Sequence, residues 1–483
     1  MNVFDYFFEE SKNLEKDFVI GNSETISYKE LYENSLKIAC YLIENFGTNK
    51  NIVLLSQNSV YFITAYLGIL KSGNTCIPLD FSIEQNNLDY ISSDTESSII
   101  FCSKKVKSKL NLTKFSNVID EDEFDQILEA QKAQTVDDNC NSQNIAELIF
   151  TSGSTGKPKG VMISHQNIIS NTDSIIEYLR LTSEDSVLVV LPFYYCFGLS
   201  LFHTHLRVGG QIVLNNTFMF LSTVVNDLRT FECTGFSGVP SHYQMLLKKS
   251  KTFKEVPLPS LRYVSQAGGK LHNVFIEEFV DNFSEIEFFV MYGQTEATAR
   301  LSYLPPDYVI KKMGSIGKAI PGVELKIFDS NDNEVKIGQV GEIVAKGGNI
   351  MMGYYNDVEG TNSTLKNGWL HTGDLAKMDE DGYFYIVARE KEIIKVGGQR
   401  VSPKEIEEVI LSVSGIVDCS IHAVYDDLLG EAIKATIVIE NEGIQDEIEK
   451  EILNQCRRKL AIHKIPQQFD FKNTLKLKST GKK

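Results

Sequence analysis

Basic charge is scarce in this chain: 48 Lys and Arg stand against 64 Asp and Glu, a net charge of −16 at pH 7. That deficit argues against nucleic acid and anionic membrane surfaces as partners, because their phosphates demand clustered Lys and Arg. Metal-ligand and disulfide spacing is also missing. The eight cysteines, at positions 40, 76, 102, 140, 196, 233, 419 and 456, form no Cys-x-x-Cys pair. Neither a zinc knuckle nor a disulfide framework is indicated, and reduced thiols in a cytoplasmic protein are the simpler expectation. Long apolar runs are absent too. The stretch from Tyr61 to Leu70 is stopped by Lys71 and is too short to cross a bilayer, so no membrane insertion is expected. The N-terminal Met-Asn-Val-Phe-Asp-Tyr-Phe-Phe-Glu-Glu lacks the basic start and apolar core of a signal peptide. There is no low-complexity tract and no internal repeat. Asp329 to Glu334 imitates a calcium loop, but Glu334 stands where Gly is needed and Val340 where a bidentate Glu is needed. That segment reads as a hairpin turn.

What is present is the composition of a globular protein, 42% hydrophobic and 23% charged, in 483 residues. The length exceeds one ordinary core, so two or more domains are expected. Short β-branched or aromatic runs read as buried strands: Val187–Leu191, Arg262–Ser265 and Phe288–Met291. They alternate with helical spacing such as His272 to Phe283, which predicts α/β layering with ligands gathered at strand ends. Near Arg389 the pattern changes. Ser402-Pro403-Lys404-Glu405 signals a helix start with Ser402 as cap, and the helix is expected to end before Gly415. Strands over Val417–Val424 and Ala432–Ile439 follow, then a helix from Gln445 to Leu460. The expected architecture is a large N-terminal domain, 1–388, of several subdomains with layered sheets and helices. A small, mobile α+β C-terminal domain, 389–483, would be joined to it at about 389–392.

The most informative segment is Thr151-Ser-Gly-Ser-Thr-Gly-Lys-Pro-Lys-Gly160. Its small residues and glycines let backbone N–H groups converge on an anion, and Lys157 and Lys159 add positive charge. It is not a Walker loop: Gly153 and Gly156 are too close, and Pro158 stands where Ser or Thr is needed. Four further motifs follow in order. They are Tyr292-Gly-Gln-Thr-Glu296; Gly368-Trp-Leu-His-Thr-Gly-Asp374; Arg389-Glu-Lys-Glu-Ile-Ile-Lys-Val-Gly-Gly398 with Val401-Ser-Pro-Lys-Glu-Ile-Glu407; and Leu477-Lys-Ser-Thr-Gly-Lys482.

Together the five resemble the signature of the adenylate-forming (AMP-binding) superfamily, which includes acyl-CoA synthetases, luciferases and peptide-synthetase adenylation domains. The resemblance implies an ATP-dependent carboxylic acid ligase. The acid would attack the α-phosphate of ATP, releasing pyrophosphate, and the acyl group would then pass to a thiol. That thiol would be coenzyme A or the phosphopantetheine of a separate carrier protein. The resemblance also implies roles. Thr151, Ser152, Gly153, Ser154, Thr155, Gly156 and Lys157 would hold the β- and γ-phosphates. Ala267, Gly268, Gly269, Tyr292, Gly293 and Gln294 would frame the nucleotide, with Tyr292 stacked on adenine. Thr295 would touch the α-phosphate, Glu296 would help hold Mg²⁺, Asp374 would accept from the ribose hydroxyls, and Arg389 would reach ribose and phosphate. Lys482 would bridge carboxylate and α-phosphate, and Lys391 would be the hinge. Taken singly, Asp374 also reads as a turn cap and Glu296 as a surface acid.

Several positions depart from the family pattern. Ala388 replaces a usual Gly, Leu477-Lys478 stands for Lys-Thr, and Lys476 replaces Pro. In Pro192-Phe-Tyr-Tyr-Cys-Phe-Gly198, Tyr195 stands where many acyl-CoA synthetases have His. No Asp lies within Tyr194 to Leu201 to pair an α-ammonium, which disfavours an amino acid substrate. Tyr195, Phe197, Phe236, Ser237, Gly268 and Met291 are the expected pocket residues, suited to a small or medium, mainly uncharged carboxylic acid; Tyr195 reads equally as core. A non-catalytic nucleotide-binding module predicts loss of Lys482, Glu296 or Asp374, and none is lost. The same motifs would also suit an amino-acid-activating enzyme or a luciferase-like oxygenase.

Overall fold

A computed structural model describes residues 1–21, 24–136, 141–152, 157–389, 392–396, 399–426, 430–440, 445–473 and 475. Of the expected site residues, Gly153, Ser154, Thr155, Gly156, Lys391 and Lys482 lie outside the described residues. The fold is mixed α/β, with a large N-terminal and a small C-terminal domain.

A nine-stranded sheet forms the centre of the large domain. Six of its strands run parallel: Asp17–Ile20, Gln211–Leu214, Ser186–Val189, Gly235–Gly238, Tyr263–Gln266 and Glu287–Tyr292. Antiparallel strands close both edges. A seven-stranded sheet carries the parallel strands Thr75–Pro78, Asn51–Leu55, Ile99–Cys102 and Asn117–Ile119 beside the hairpin Ile145–Ser152/Pro158–Ser164. One hydrophobic core runs through both sheets and the helices Val60–Lys71, His165–Leu179 and Cys196–Val208. The apolar stretch that is too short for a membrane is therefore a core helix, all but its first residue buried. Among the described residues no helix is long and apolar enough to cross a membrane.

A five-stranded antiparallel sheet follows, with Val323–Phe328, Gly341–Gly347, Trp369–Met378 and Phe384–Arg389 among its strands. The hairpin turn expected at Asp329 is present, with Asp329 Oδ1 accepting the N–H groups of Asn331 and Asn333, and a second turn is closed by Gly382 N–H donating to the Asp379 carbonyl. The small domain packs helices Pro403–Leu411 and Gln445–Lys459 with strands Ile394–Val396, Gln399–Val401, Ile416–Asp426, Gly430–Ile439 and Gln468–Phe471. Ser402 precedes its first helix but does not cap it with its side chain. Its hydroxyl donates instead to the Val387 carbonyl at 2.8 Å, tying the helix start to the strand before the expected joint.

Buried in the large domain, Tyr66 donates to Glu147 Oε2 at 2.9 Å and lies 2.9 Å from His203 Nε2. Burial pushes the Glu147 carboxyl up from 4.5 to about 7, and pushes His203 down to about 3. A raised acid favours folding most below its unfolded value of 4.5, and that contribution is lost as pH rises through 7. The Glu147→Gln variant keeps the acceptor for Tyr66 and cannot ionise. Its stability relative to wild type should rise by up to about 3 kcal/mol between pH 4.5 and pH 8, read from urea midpoints. Parallel pH profiles for the two proteins would contradict this assignment.

Candidate active site

The carboxyl ends of the parallel strands converge on a cavity of about 310 Å³, lined by Gly268, Met291, Tyr292, Asp374, Arg389 and Lys404 among others. Tyr292 ends the strand Glu287–Tyr292, while the register of Trp369–Met378 against Phe384–Arg389 sets Asp374 opposite Arg389. The Tyr292 hydroxyl donates to Asp374 Oδ2 at 2.6 Å, and Arg389 Nε donates to Oδ1 at 2.9 Å. Burial, and then the Asp374 charge, raise the Tyr292 phenol well above its usual range, so it keeps its proton and remains a donor. Three motif residues from distant parts of the chain thus form one polar group on the cavity wall. Each Asp374 oxygen keeps a lone pair for a further donor.

After Tyr292 the chain turns sharply. A Cβ on Gly293 would lie 2.0 Å from the Ala299 carbonyl oxygen, so the turn closes only over a hydrogen atom. Gly268 adopts φ +82°, the left-handed region that glycine occupies without strain. Thr295–Ala297 forms one 3₁₀ turn, followed by Thr298 at φ +60°. That strained residue is held by its hydroxyl, which donates to the Asn349 carbonyl at 2.6 Å, while Asn349 Nδ2 donates to the Arg300 carbonyl at 2.6 Å. Glu296 is held alongside: its carbonyl accepts from Met351 N–H at 2.9 Å, and its Oε1 accepts from the Tyr354 hydroxyl at 2.8 Å.

In the phosphate-loop segment, Thr151 and Ser152 complete their strand rather than follow it. Lys157 Nζ lies 5.6 Å over the Tyr90 ring. Lys159 pairs with Asp357 at 2.6 Å and stands 4.9 Å over the Tyr354 ring. The second lysine therefore buttresses the Glu296 partner instead of reaching freely outward.

The expected acyl-pocket residues separate. Gly268 and Met291 line the cavity, with Gly269, Gly293, Tyr292, Asp374 and Arg389; Ala267, Gln294, Thr295 and Glu296 flank it on the same loops. Tyr195 precedes the helix Cys196–Val208, and burial pushes its phenol above its usual range, so it is a neutral group and not a base. Cys196 Sγ lies 3.6 Å from Thr295 Oγ1. Ser237 is buried, and its hydroxyl is 2.7 Å from that of Ser265. Phe236 is not brought to the pocket: it faces the other side of its strand and packs against Tyr243, ring centroids 5.7 Å apart. Phe197 is buried under the guanidinium of Arg300, whose Cζ lies 4.4 Å from its ring centroid.

Sequence reasoning missed Arg300, Asn349, Tyr354 and Asp357. For Arg300 a signal existed, since a lone cation four residues past Glu296 stands amid small and apolar neighbours. The other three come from a segment with no motif of its own.

The small domain meets the site through Pro403–Leu411. Glu408 Oε1 accepts Asn273 N–H at 3.0 Å, Oε2 lies 3.1 Å from His272 Nδ1, and Lys270 pairs with it at 2.9 Å. Burial opposes ionisation of Glu408, but His272 and Lys270 outweigh it and hold the carboxyl at about 2.

This chain matches the family described as AMP-binding enzyme over residues 8–355, and that family's C-terminal domain over residues 405–482. The chain belongs to the AMP-binding enzyme family. Among relatives of this AMP-binding enzyme, the long-chain-fatty-acid–CoA ligase of Salmonella typhimurium is 28% identical, covering 96% of this chain and 89% of its own. The oxalate–CoA ligase of Arabidopsis thaliana is 27% identical over 96% of this chain and 93% of its own. ATP-bound MatB from Rhodopseudomonas palustris superposes with a TM-score of 0.88 at 25% identity, covering 99% of this chain and 96% of that one.

Proposed function

We propose that this AMP-binding enzyme is an AMP-forming acid–thiol ligase, with coenzyme A as the thiol acceptor its relatives favour and a carrier-protein phosphopantetheine as the second candidate. A carboxylate oxygen attacks the α-phosphorus of ATP, the bond to the β-phosphate bridging oxygen breaks, and pyrophosphate leaves. The thiol sulfur then attacks the acyl carbon and AMP departs, the thiol proton passing to solvent. The observation that carries this reading is the Tyr292–Asp374–Arg389 group, which offers a flat phenol beside a carboxylate and a guanidinium. The first suits adenine, the second ribose hydroxyls, and the third a phosphate.

Thr295 and Glu296 would meet the α-phosphate side, held by the stapled turn. Among the described residues no cluster of three or more His, Cys, Asp or Glu forms a dedicated metal cage. A single carboxylate, Glu296 with its free oxygen, matches the way Mg²⁺ is held jointly with substrate phosphates. When bound there, the ion would neutralise phosphate charge. Residues 1–388 would form the ATP- and acid-binding domain. Residues 389–483 would move as the small domain about Lys391, bringing Lys482 in for adenylation and out for thiol transfer.

Pyrophosphate exchange into ATP, measured with Mg²⁺ and a panel of carboxylic acids, tests the reading. Acid-dependent exchange is expected; ATP binding with no exchange for any acid would contradict it. Asp374→Ala should raise the KM for ATP about 150-fold, the loss of two hydrogen bonds to a charged acceptor at roughly 1.5 kcal/mol each. Its melting temperature should fall by a few degrees, because the part-buried Tyr292 hydroxyl loses its acceptor, while the pair with Arg389, 56% exposed, is screened by solvent and adds little.

A further inference from the structure

Among the described residues, two Lys or Arg residues are buried, Lys71 at 7% and Arg300 at 2% exposure. Lys71 is neutralised: its Nζ donates to both Asp5 oxygens, at 2.8 and 2.9 Å. Arg300 makes no ion pair with any described residue. Its side chain has two long hydrogen bonds, from Nε to the Tyr178 hydroxyl at 3.3 Å and from Nη1 to the Ala299 carbonyl at 3.4 Å, and it stacks on Phe197. An arginine has five N–H donors and does not deprotonate, so burial without an anion is costly and leaves donors to spare.

The surroundings place this cation beside the acyl site. Its platform, Phe197, adjoins Cys196, whose sulfur lies 3.6 Å from the Thr295 hydroxyl. Tyr195, on the other side of Cys196, is under the charges of both Arg300 and Glu296. The Tyr178 hydroxyl that accepts from Arg300 is 3.0 Å from the sulfur of Met291, and Met291 lines the cavity. The backbone is fixed on both sides, with Arg300 N–H donating to Asn171 Oδ1 at 3.1 Å and its carbonyl accepting from Asn349 at 2.6 Å.

We infer that Arg300 determines specificity by receiving a second carboxylate of the substrate, so that the acid activated at this site is a short dicarboxylic acid. This rests on the ligase reading above and names its substrate class. One carboxylate would be activated beside Thr295. The other would meet the Arg300 guanidinium through the paired N–H···O geometry that arginine offers carboxylates, and would pass unchanged into the thioester. Since the two ends are marked by neighbouring residues, Cys196 and Phe197, the spacer between the carboxylates is a few carbons or one ring. The expectation of an uncharged acid, drawn from the aromatic residues alone, gives way at this arginine.

The test is pyrophosphate exchange with matched pairs: malonate against propionate, succinate against butyrate, phthalate against benzoate. It uses the full chain as wild type, Arg300→Lys and Arg300→Met. In wild type the best dicarboxylate should exceed its monocarboxylate partner in kcat/KM by about 10⁴-fold, as expected when a site built around a polar group rejects the analogue lacking its partner. Arg300→Met should bring that ratio to one or below, and Arg300→Lys, which keeps the charge, should restore it to within about tenfold of wild type. Melting temperatures of the variants separate folding from recognition. A wild type that prefers the monocarboxylates, or a ratio unchanged in Arg300→Met while its melting temperature falls, would overturn the inference and leave Arg300 a core residue. Exchange with no acid of either series would count against the ligase reading itself.

Discussion

Lys482→Ala should lower acid-dependent pyrophosphate exchange by about 1000-fold while leaving ATP binding within a few-fold of wild type. In the transition state, negative charge grows on the α-phosphate as the carboxylate approaches it. A cation placed between the two acts only at that moment, so its loss appears in rate and not in ground-state affinity. Removing one such preorganised group costs on the order of 10²–10³ in rate. If the small domain withdraws Lys482 before thiol transfer, thioester formation from a supplied acyl-adenylate should fall less than about tenfold in the same variant. Equal losses in both half-reactions would mean that Lys482 supports the fold or remains in place throughout.

Gly293→Ala should reduce kcat/KM by about 100-fold or more. The added Cβ would sit 2.0 Å from the Ala299 carbonyl oxygen, and that contact cannot be relieved locally. Leu301 N–H is bonded to the Tyr292 carbonyl at 2.8 Å, and Asn349 holds the Ala297 and Arg300 carbonyls. The strain must therefore displace Thr295 and Glu296, and a shift of about 1 Å in a positioning element costs roughly 100-fold. Activity should fall far more than the melting temperature. A fully active Gly293→Ala protein would show that the turn tolerates a side chain and that the stapled geometry is not required.

The sequence made the catalytic grammar legible because the motifs are local. Tyr292 to Glu296 announces a turn at a strand end, and Thr151 to Gly160 stands out by its glycines and small polar residues, whereas Asp374 lies within the strand Trp369–Met378. Their convergence was available only as a resemblance, since nothing in the residues themselves states that Tyr292 and Asp374, 82 positions apart, share a hydrogen bond. Strand and helix positions followed periodicity well: the helix expected over His272–Phe283 is Asn273–Asn282, and that over Gln445–Leu460 is Gln445–Lys459.

Facing was harder to read. Gly235–Gly238 lies in a parallel sheet buried on both sides, so alternation cannot say which of Phe236 and Ser237 looks toward the ligand, and Phe236 proved to look away. Ser402 carried a capping signature, yet its hydroxyl found a tertiary partner in Val387. Arg300 was overlooked for the opposite reason. A single arginine in sequence reads first as surface, and its burial without an ion pair to any described residue is what gives weight to the small and apolar neighbours around it.

In the reaction proposed for this protein, ATP is split between its α- and β-phosphates to make an acyl thioester. Incubating the protein with ATP, Mg²⁺, coenzyme A and the acid that best supports exchange, then resolving the phosphorus products by ³¹P NMR, tests it directly. One AMP and one pyrophosphate are expected for each thioester formed, with none when the acid is omitted. ADP and inorganic phosphate as products, or AMP release that ignores the acid, would contradict it.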